Sequence, residues 1–323
     1  MKKTILIISI LFLAASIIIG LCFGTEFISP LIVFEDLVHG ASSLKLEIIY
    51  EIRLPRVLAA AFAGAALAVS GAVFQSLFRN PLADPFITGV SGGASLGISF
   101  AVIFALGPVL SMTLSFTGSL IAIAILYIMS FGKGFGGGIF ILAGVAMSFI
   151  FSSSVMLLFS VAESQSVHKA LIWMMGDLSA SGIVNHWIIF SVIFVIILLI
   201  WIYHRHINII SLGRSFSHSS GISDTELRII LILASILSAL TVILGGIIPF
   251  VGLMIPHIVR YFNGYDNRTL IPLSAVTGAV FLILCDTVSR SLVLPYEIPI
   301  GIITGFAGGI FFLFFVFKRR EVY

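Results

Sequence analysis

Apolar residues run along this chain in long blocks, with polar residues gathered in short intervals between them. Ten blocks are read as membrane-crossing helices: residues 5–23, 54–77, 86–106, 110–131, 138–161, 186–203, 226–247, 248–262, 270–290 and 299–317. The eighth is short and interrupted by Pro249 and Pro256, so a broken span is expected there. The predicted fold class is all-α, a polytopic membrane protein with about ten transmembrane helices.

Composition supports the pattern. Of 323 residues, 59% are hydrophobic and 10% charged, against about 25% charged in a soluble domain. No room is left for a soluble catalytic domain. The basic start and apolar run at the N-terminus are too long for a secretory signal, and no small-residue cleavage site follows, so this stretch is read as the first span. Cys22 and Cys285 both fall inside apolar blocks and are not expected to form a disulfide. The net charge of +3 is modest and points to loops at a membrane face, with no nucleic-acid partner implied.

Ten spans place both ends on one side. That side then carries Lys2, Lys3, Arg79, Lys133, Arg205, Arg214, Arg228, Arg260, Arg268, Lys318, Arg319 and Arg320, while the other holds Lys45, Arg53, Arg56, Lys169 and Arg290. The excess of basic residues assigns both termini to the cytoplasm. A nine-span alternative would drop the broken eighth segment and move Arg290 inside. Under ten spans Arg53 and Arg56 stand outside, three residues apart, with Arg290 on the same side. Snorkelling at a helix end is one explanation; a basic patch for an acidic partner is the other, since guanidinium forks pair with carboxylates.

Candidate chemistry is sparse. The spans are nearly free of central carboxylates: Asp286 lies near an outer end and Asp84 in an inner loop. A carrier driven by an ion gradient ordinarily needs such groups as relays, so transport here would draw energy from a partner. The glycine-rich "GKGFGGG" (Gly132–Gly138) is no phosphate loop, because Gly134 follows Lys133 where Ser or Thr is required. The small residues of "GVSGGASLG" (Gly89–Gly97) suit close helix packing. His204 and His206, two apart, share no helix face and are not read as a metal site; no cofactor is expected. Met174 and Met175, after Trp173, suggest an interfacial helix. The longest inner loop, His204–Arg228, is polar and basic, and Ser223 with Glu226 forms a capping box opening the seventh span. It is either a plain connector or a rigid knob for a cytosolic partner.

The stretch "RLPRVLAAAFAGAALAVSGAVFQSLFRNPLADPFITGVSGGASLG", followed in order by "LAGVAMS", "WMMGDLS", "SLGRSFSHSSGIS", "GGIIPFVGLMIPHIVR", "CDTVSR" and "EIPIGIITGFAGGIFF", resembles the permease subunits of bacterial iron-chelate and vitamin B12 ABC importers, the FecCD family. The resemblance spans nearly the whole chain and implies one permease domain over residues 1–323. It implies ten helices, a second permease (a copy or a paralogue), cytosolic ABC ATPase subunits and an extracytoplasmic substrate-binding protein. It assigns Arg53, Arg56 and Arg290 to docking of the binding protein. Leu212, Gly213, Gly221 and Ser223, within the loop 204–225, go to coupling with the ATPase. Asn80, Pro81 and Leu82 form part of a cytoplasmic gate. At the other gate stretch this chain departs from the B12-type pattern, with Gly137 and Gly138 where hydroxyl residues stand, so cobalamin specificity does not follow.

The expected function is import of an iron chelate, siderophore or haem, across the cytoplasmic membrane, with ATP hydrolysed by a partner and no catalytic site in this chain. Cobalamin or an oxyanion such as molybdate is the alternative cargo. A secondary carrier and a membrane-embedded enzyme are the rival classes; both need polar intramembrane constellations that the sequence lacks.

Overall fold

The computed structural model of the protein describes residues 2–30, 47–130, 137–179 and 187–320. Lys45, and Lys133 with Gly132, Gly134 and Gly136, lie outside the described residues. Among the described residues the regular structure is helical. The helices are α1 (Lys2–Cys22), α2 (Leu54–Phe78), α3 (Val90–Ile103), α4 (Pro108–Ser130), α5 (Gly137–Val161), α6 (Ser164–Met174), α7 (Trp187–Ile202), α8 (His204–Ser211), α9 (Arg214–Ser219), α10 (Asp224–Gly245), α11 (Val251–Asn263), α12 (Asn267–Ser291) and α13 (Ile300–Arg320).

Each of the ten apolar blocks coincides with one of these helices, but their lengths differ. Among the described residues five helices are long and apolar enough to cross a membrane, or six if the pair α7–α8, bent by 57°, is one span. The third block starts late because Pro85–Thr88 forms a tight 3-10 turn, capped by Asp84, whose Oδ1 accepts the Phe86 N–H at 2.8 Å. The eighth block is α11, only 13 residues long; it begins after Phe250, which holds a left-handed φ of 69°. The break expected at Pro249 is therefore present.

Helix α2 is the axis of the molecule. A π-helical turn, Ile48–Arg53, leads into it, and of this 31-residue stretch the most apolar window is 78% buried, against 22% for α5. It packs against α12, α10 and α11. Small residues make the approach close: a methyl group on Gly71 would lie 1.8 Å from the Gly252 carbonyl oxygen of α11. The α3–α4 contact predicted from "GVSGGASLG" has the same basis, for a methyl group on Gly93 would lie 2.2 Å from the Gly118 carbonyl oxygen.

Two prolines sit inside helices, and each frees the carbonyl four residues earlier. Pro256 frees Gly252, and the buried Gln75 Nε2 of α2 donates to that carbonyl at 3.2 Å and to Leu253 at 3.1 Å. Pro272 frees Arg268, whose carbonyl accepts the Trp201 indole N–H at 2.9 Å. Arg260 completes the first of these ties, bonding Gln75 Oε1 and, at 3.1 Å, the Ala72 carbonyl. By contrast α5 and α13 expose long apolar flanks, including Phe149 at 69% and Phe306 at 73%. Such flanks are stable against hydrocarbon or another apolar surface, not against water.

Candidate docking and coupling sites

Helix α2, about 37 Å long at 1.5 Å per residue, separates two candidate sites. Arg53 and Arg56 stand at its start and Arg79 at its end.

At the arginine end the sequence pattern brings Arg53, Arg56 and Arg290 together, and all three are buried. Each guanidinium is engaged within the chain, which charge counting did not foresee. Arg53 closes helix α1, whose last carbonyls lack intrahelical partners. Its Nη1 donates to the Leu21 and Cys22 carbonyls at 2.7 and 2.9 Å, and its Nη2 to the Glu26 carbonyl at 2.5 Å. Arg56 is a double ion pair: Nε to Asp286 Oδ1 at 2.9 Å and Nη1 to Glu297 Oε2 at 2.7 Å. Arg290 Nε lies 3.0 Å from Asp286 Oδ2, and its Nη2 donates to the Gly20 carbonyl at 3.2 Å. Asp286 thus sits between two arginines with its side chain 1% exposed, whereas the Glu297 side chain is 39% exposed. Burial of one carboxylate between two guanidiniums is tolerable only because both oxygens face a positive charge.

A cavity of about 210 Å³ adjoins Arg56, lined by Asp177, Ser179, Ser289, Glu297 and Ile298 among others. Backbone bonds build its walls. The Ile300 and Gly301 N–H groups at the start of α13 donate to the Gly176 and Met175 carbonyls at 3.2 and 2.9 Å, and Asp177 N–H donates to Gly245 at 3.0 Å. The "WMMGDLS" stretch, the break after α10 and the start of α13 therefore form one junction. Helix α6 ends at Met174, where an interfacial helix is expected.

At the opposite end, the residues that the resemblance assigns to coupling form a compact knob. Leu212 caps α8 and is 64% exposed; Phe216 on α9 is 51% exposed. Gly213, at φ 124°, turns the chain between α8 and α9, a backbone that L side chains rarely adopt, and a methyl group there would also lie 3.2 Å from the Arg79 guanidinium. Gly221 has φ 80° with open space around it, so backbone conformation alone selects glycine. Ser223 caps α10 through the predicted box: Glu226 N–H to Ser223 Oγ at 3.3 Å, and Ser223 N–H to Glu226 Oε2 at 2.9 Å.

The knob is fastened to the bundle by groups that sequence reading missed. Asn208 Nδ2 donates to Asp266 Oδ1 at 2.9 Å, and Asn208 Oδ1 accepts the Asn267 backbone and side-chain N–H groups at 2.9 and 2.7 Å. His206 Nε2 lies 3.3 Å from Glu226 Oε1. The two stretches lie nearly 60 residues apart, and no local spacing announces the pairing.

The residues that the resemblance assigns to a gate lie at this same end. Asn80 Oδ1 accepts the Leu82 N–H at 2.9 Å, an Asx-type turn that leaves Pro81 and Leu82 exposed. Arg79 ends α2 in a left-handed conformation, φ 50°. The loop continues to the half-buried Asp84, whose carboxyl is pushed up to about 6 by burial, against the lowering effect of the Phe86 N–H. Gly137 and Gly138 are the first residues of α5, and Phe140 just beyond them packs on Phe78 of α2, ring centroids 5.0 Å apart. The two predicted gate stretches thus begin from touching helix ends.

Comparison with known proteins agrees with this architecture. Residues 11–318 match the FecCD transport family. The chain is 33% identical to the vitamin B12 import system permease protein of Vibrio parahaemolyticus, over 99% of this chain and 95% of that one. It is 28% identical to the iron(3+)-hydroxamate import system permease protein of Bacillus subtilis, over 99% and 98%. A solved inward-facing structure, described as a metal-chelate type ABC transporter, superposes with a TM-score of 0.86 at 29% identity, covering 98% of this chain and 100% of that one. With its helical bundle, apolar flanks and these relatives, this multi-pass membrane chain belongs to the FecCD transport family.

Proposed function

We propose that this chain is the permease subunit of an ABC importer that carries an iron chelate, siderophore or haem, across the cytoplasmic membrane. In this reading ten helices cross the bilayer with both termini in the cytoplasm, and the chain works beside a second permease covering its apolar flanks. The chain supplies no catalytic group; a cytosolic ATPase seats on α8–α9 and supplies the energy.

The anchored knob carries the reading. Exposed Leu212 and Phe216 offer an apolar tip, two positive-φ glycines fix its shape, and Asn208 fastens it to the start of α12. A push on the tip is then delivered to the bundle and not absorbed in a loop. Arg79, beside Gly213, links the tip to the Asn80–Leu82 turn, which fits a gate that responds to the ATPase. Gly137 and Gly138 form the second part of that gate. At the far end, a binding protein docks over the arginine cluster, with Arg56 the group nearest to reaching it and Arg53 and Arg290 supporting its frame.

The test is uptake of radiolabelled iron, as several siderophores and as haem, in cells lacking the gene and in cells with it restored. Loss of one chelate, restored by the gene, is the expected result. Unchanged iron uptake with lost cobalamin uptake would reassign the cargo, as the B12 relative allows. Retention of the ATPase on affinity-purified permease, lost in a variant with Leu212 and Phe216 both replaced by Asp, separates an importer subunit from a secondary carrier.

A further inference from the structure

The two carboxylates that hold Arg56 are not equivalent. Asp286 is enclosed and shared with Arg290, and its removal would strand two cations. Glu297 reaches solvent and, among the described residues, bonds only Arg56. Its backbone is fixed from the next residue: Ile298 N–H donates to the Ser289 carbonyl at 3.2 Å, and Ser289 Oγ donates to the Ile298 carbonyl at 2.5 Å. The carboxylate therefore leaves Arg56 by side-chain rotation, with the turn staying in place.

We propose that Glu297 is a displaceable internal ligand, occupying on Arg56 the seat that an acidic side chain of the docking partner takes. The inference rests on the docking role proposed for Arg56 and adds the competitor. Three observations carry it. Among the three arginines only Arg56 is hydrogen-bonded to a carboxylate that reaches solvent, since Arg53 is committed to three backbone carbonyls and Arg290 to the enclosed Asp286 and the Gly20 carbonyl. The adjoining cavity of about 210 Å³ has room for a carboxylate-bearing side chain. Finally, Asp177 and Glu297 already line that cavity beside the one guanidinium. A third carboxylate would be repelled there, so an incoming acid enters by exchange and not by addition. The free permease is thereby kept from exposing a bare guanidinium to unrelated anions, and docking strength is set by the difference between two ion pairs.

Two measurements on the full chain test this. In the first, purified permease in detergent is treated with phenylglyoxal, and arginine modification is followed by peptide mass spectrometry. Glu297→Ala should raise the rate at Arg56 by about twofold to fivefold, the range expected for losing a partly exposed ion pair, with Arg53 and Arg290 remaining slow. An unchanged rate at Arg56 overturns the proposal. In the second, the importer's own binding protein is titrated onto the permease–ATPase complex. Glu297→Ala should tighten docking by a similar factor. Unchanged docking in that variant, while Arg56→Glu abolishes docking, overturns the exchange and leaves the docking role standing. Unchanged docking in Arg56→Glu as well removes the docking role itself, and the competitor with it.

Discussion

The two ends of α2 meet the world by opposite means. At the arginine end charge is plentiful and almost wholly internal: three guanidiniums are buried against two carboxylates, three carbonyls at the end of α1 and that of Glu26 just beyond it. At the knob end the exposed groups are apolar, Leu212 and Phe216, and the polar groups work behind them as fasteners. A surface rich in arginine in the sequence thus turns out to be a self-satisfied structure with one exchangeable bond. A loop that reads as merely polar presents a shaped hydrophobic tip. Charge alone therefore locates neither of the two proposed interfaces; what matters is which groups remain uncommitted after the fold has used its share.

The contrast is broken most severely at Asp286. Asp286→Ala leaves Arg56 and Arg290 facing each other without their common anion, and should cost about 3–5 kcal/mol, read as a large drop in melting temperature in detergent. Next come the arginines themselves. Arg53→Ala removes three bonds to backbone carbonyls, of which that of Cys22 keeps the Ile28 N–H, and should cost about 2–3 kcal/mol. Arg56→Ala should cost less, because Asp286 keeps Arg290 and Glu297 is free to turn to water, yet it should weaken binding-protein docking where Arg53→Ala does so only through lost fold. Equal stability losses in the two variants would erase the distinction between structural and exchangeable arginines.

At the knob, Gly213→Val should place about 1–3 kcal/mol of strain at φ 124°, lowering ATPase co-purification and transport while the melting temperature moves little. Normal coupling in that variant would detach the glycine from the coupling role. The smallest effect is expected at Asp84. Its folded carboxyl, at about 6 against an ordinary 3.8, holds its proton more tightly than in the unfolded chain. Stability from this group is thus complete below about 3.8 and lost as pH rises through about 6. Asp84→Asn should match the parent near pH 4 and melt slightly higher above pH 6, with the gap opening between.

The positions of the helices were legible because the apolar blocks are long and their interruptions chemical: Pro249 before α11, the Ser223–Glu226 box at the start of α10, glycine at positions 213 and 221. Their lengths were less so, since residues 86–88 of the tight turn after Asp84 read as part of the third apolar block, and the polar segment after Tyr203 gives no sign that it continues as helix α8 at a bend of 57°. The three arginines were correctly brought to one end, but their partners were invisible. Asp286 lies 230 residues from Arg56 and Glu297 lies 241, and nothing in a single sequence ties such distant acids to one base. Asn208 was hidden for the same reason: an asparagine in a polar loop gives no hint that it grips the start of another helix.

The proline-freed carbonyls of Gly252 and Arg268 have a consequence for motion. An ordinary apolar helix contact tolerates small rotations about the helix axis, but a side chain seated on a single vacant carbonyl is a key in a slot. Gln75 fixes the azimuth of α11 against α2, and Trp201 does the same for α12 against α7. A conformational change that spares these seats must carry the keyed helices as one block, and leave the swinging to helices such as α5, whose wall against the core is thin.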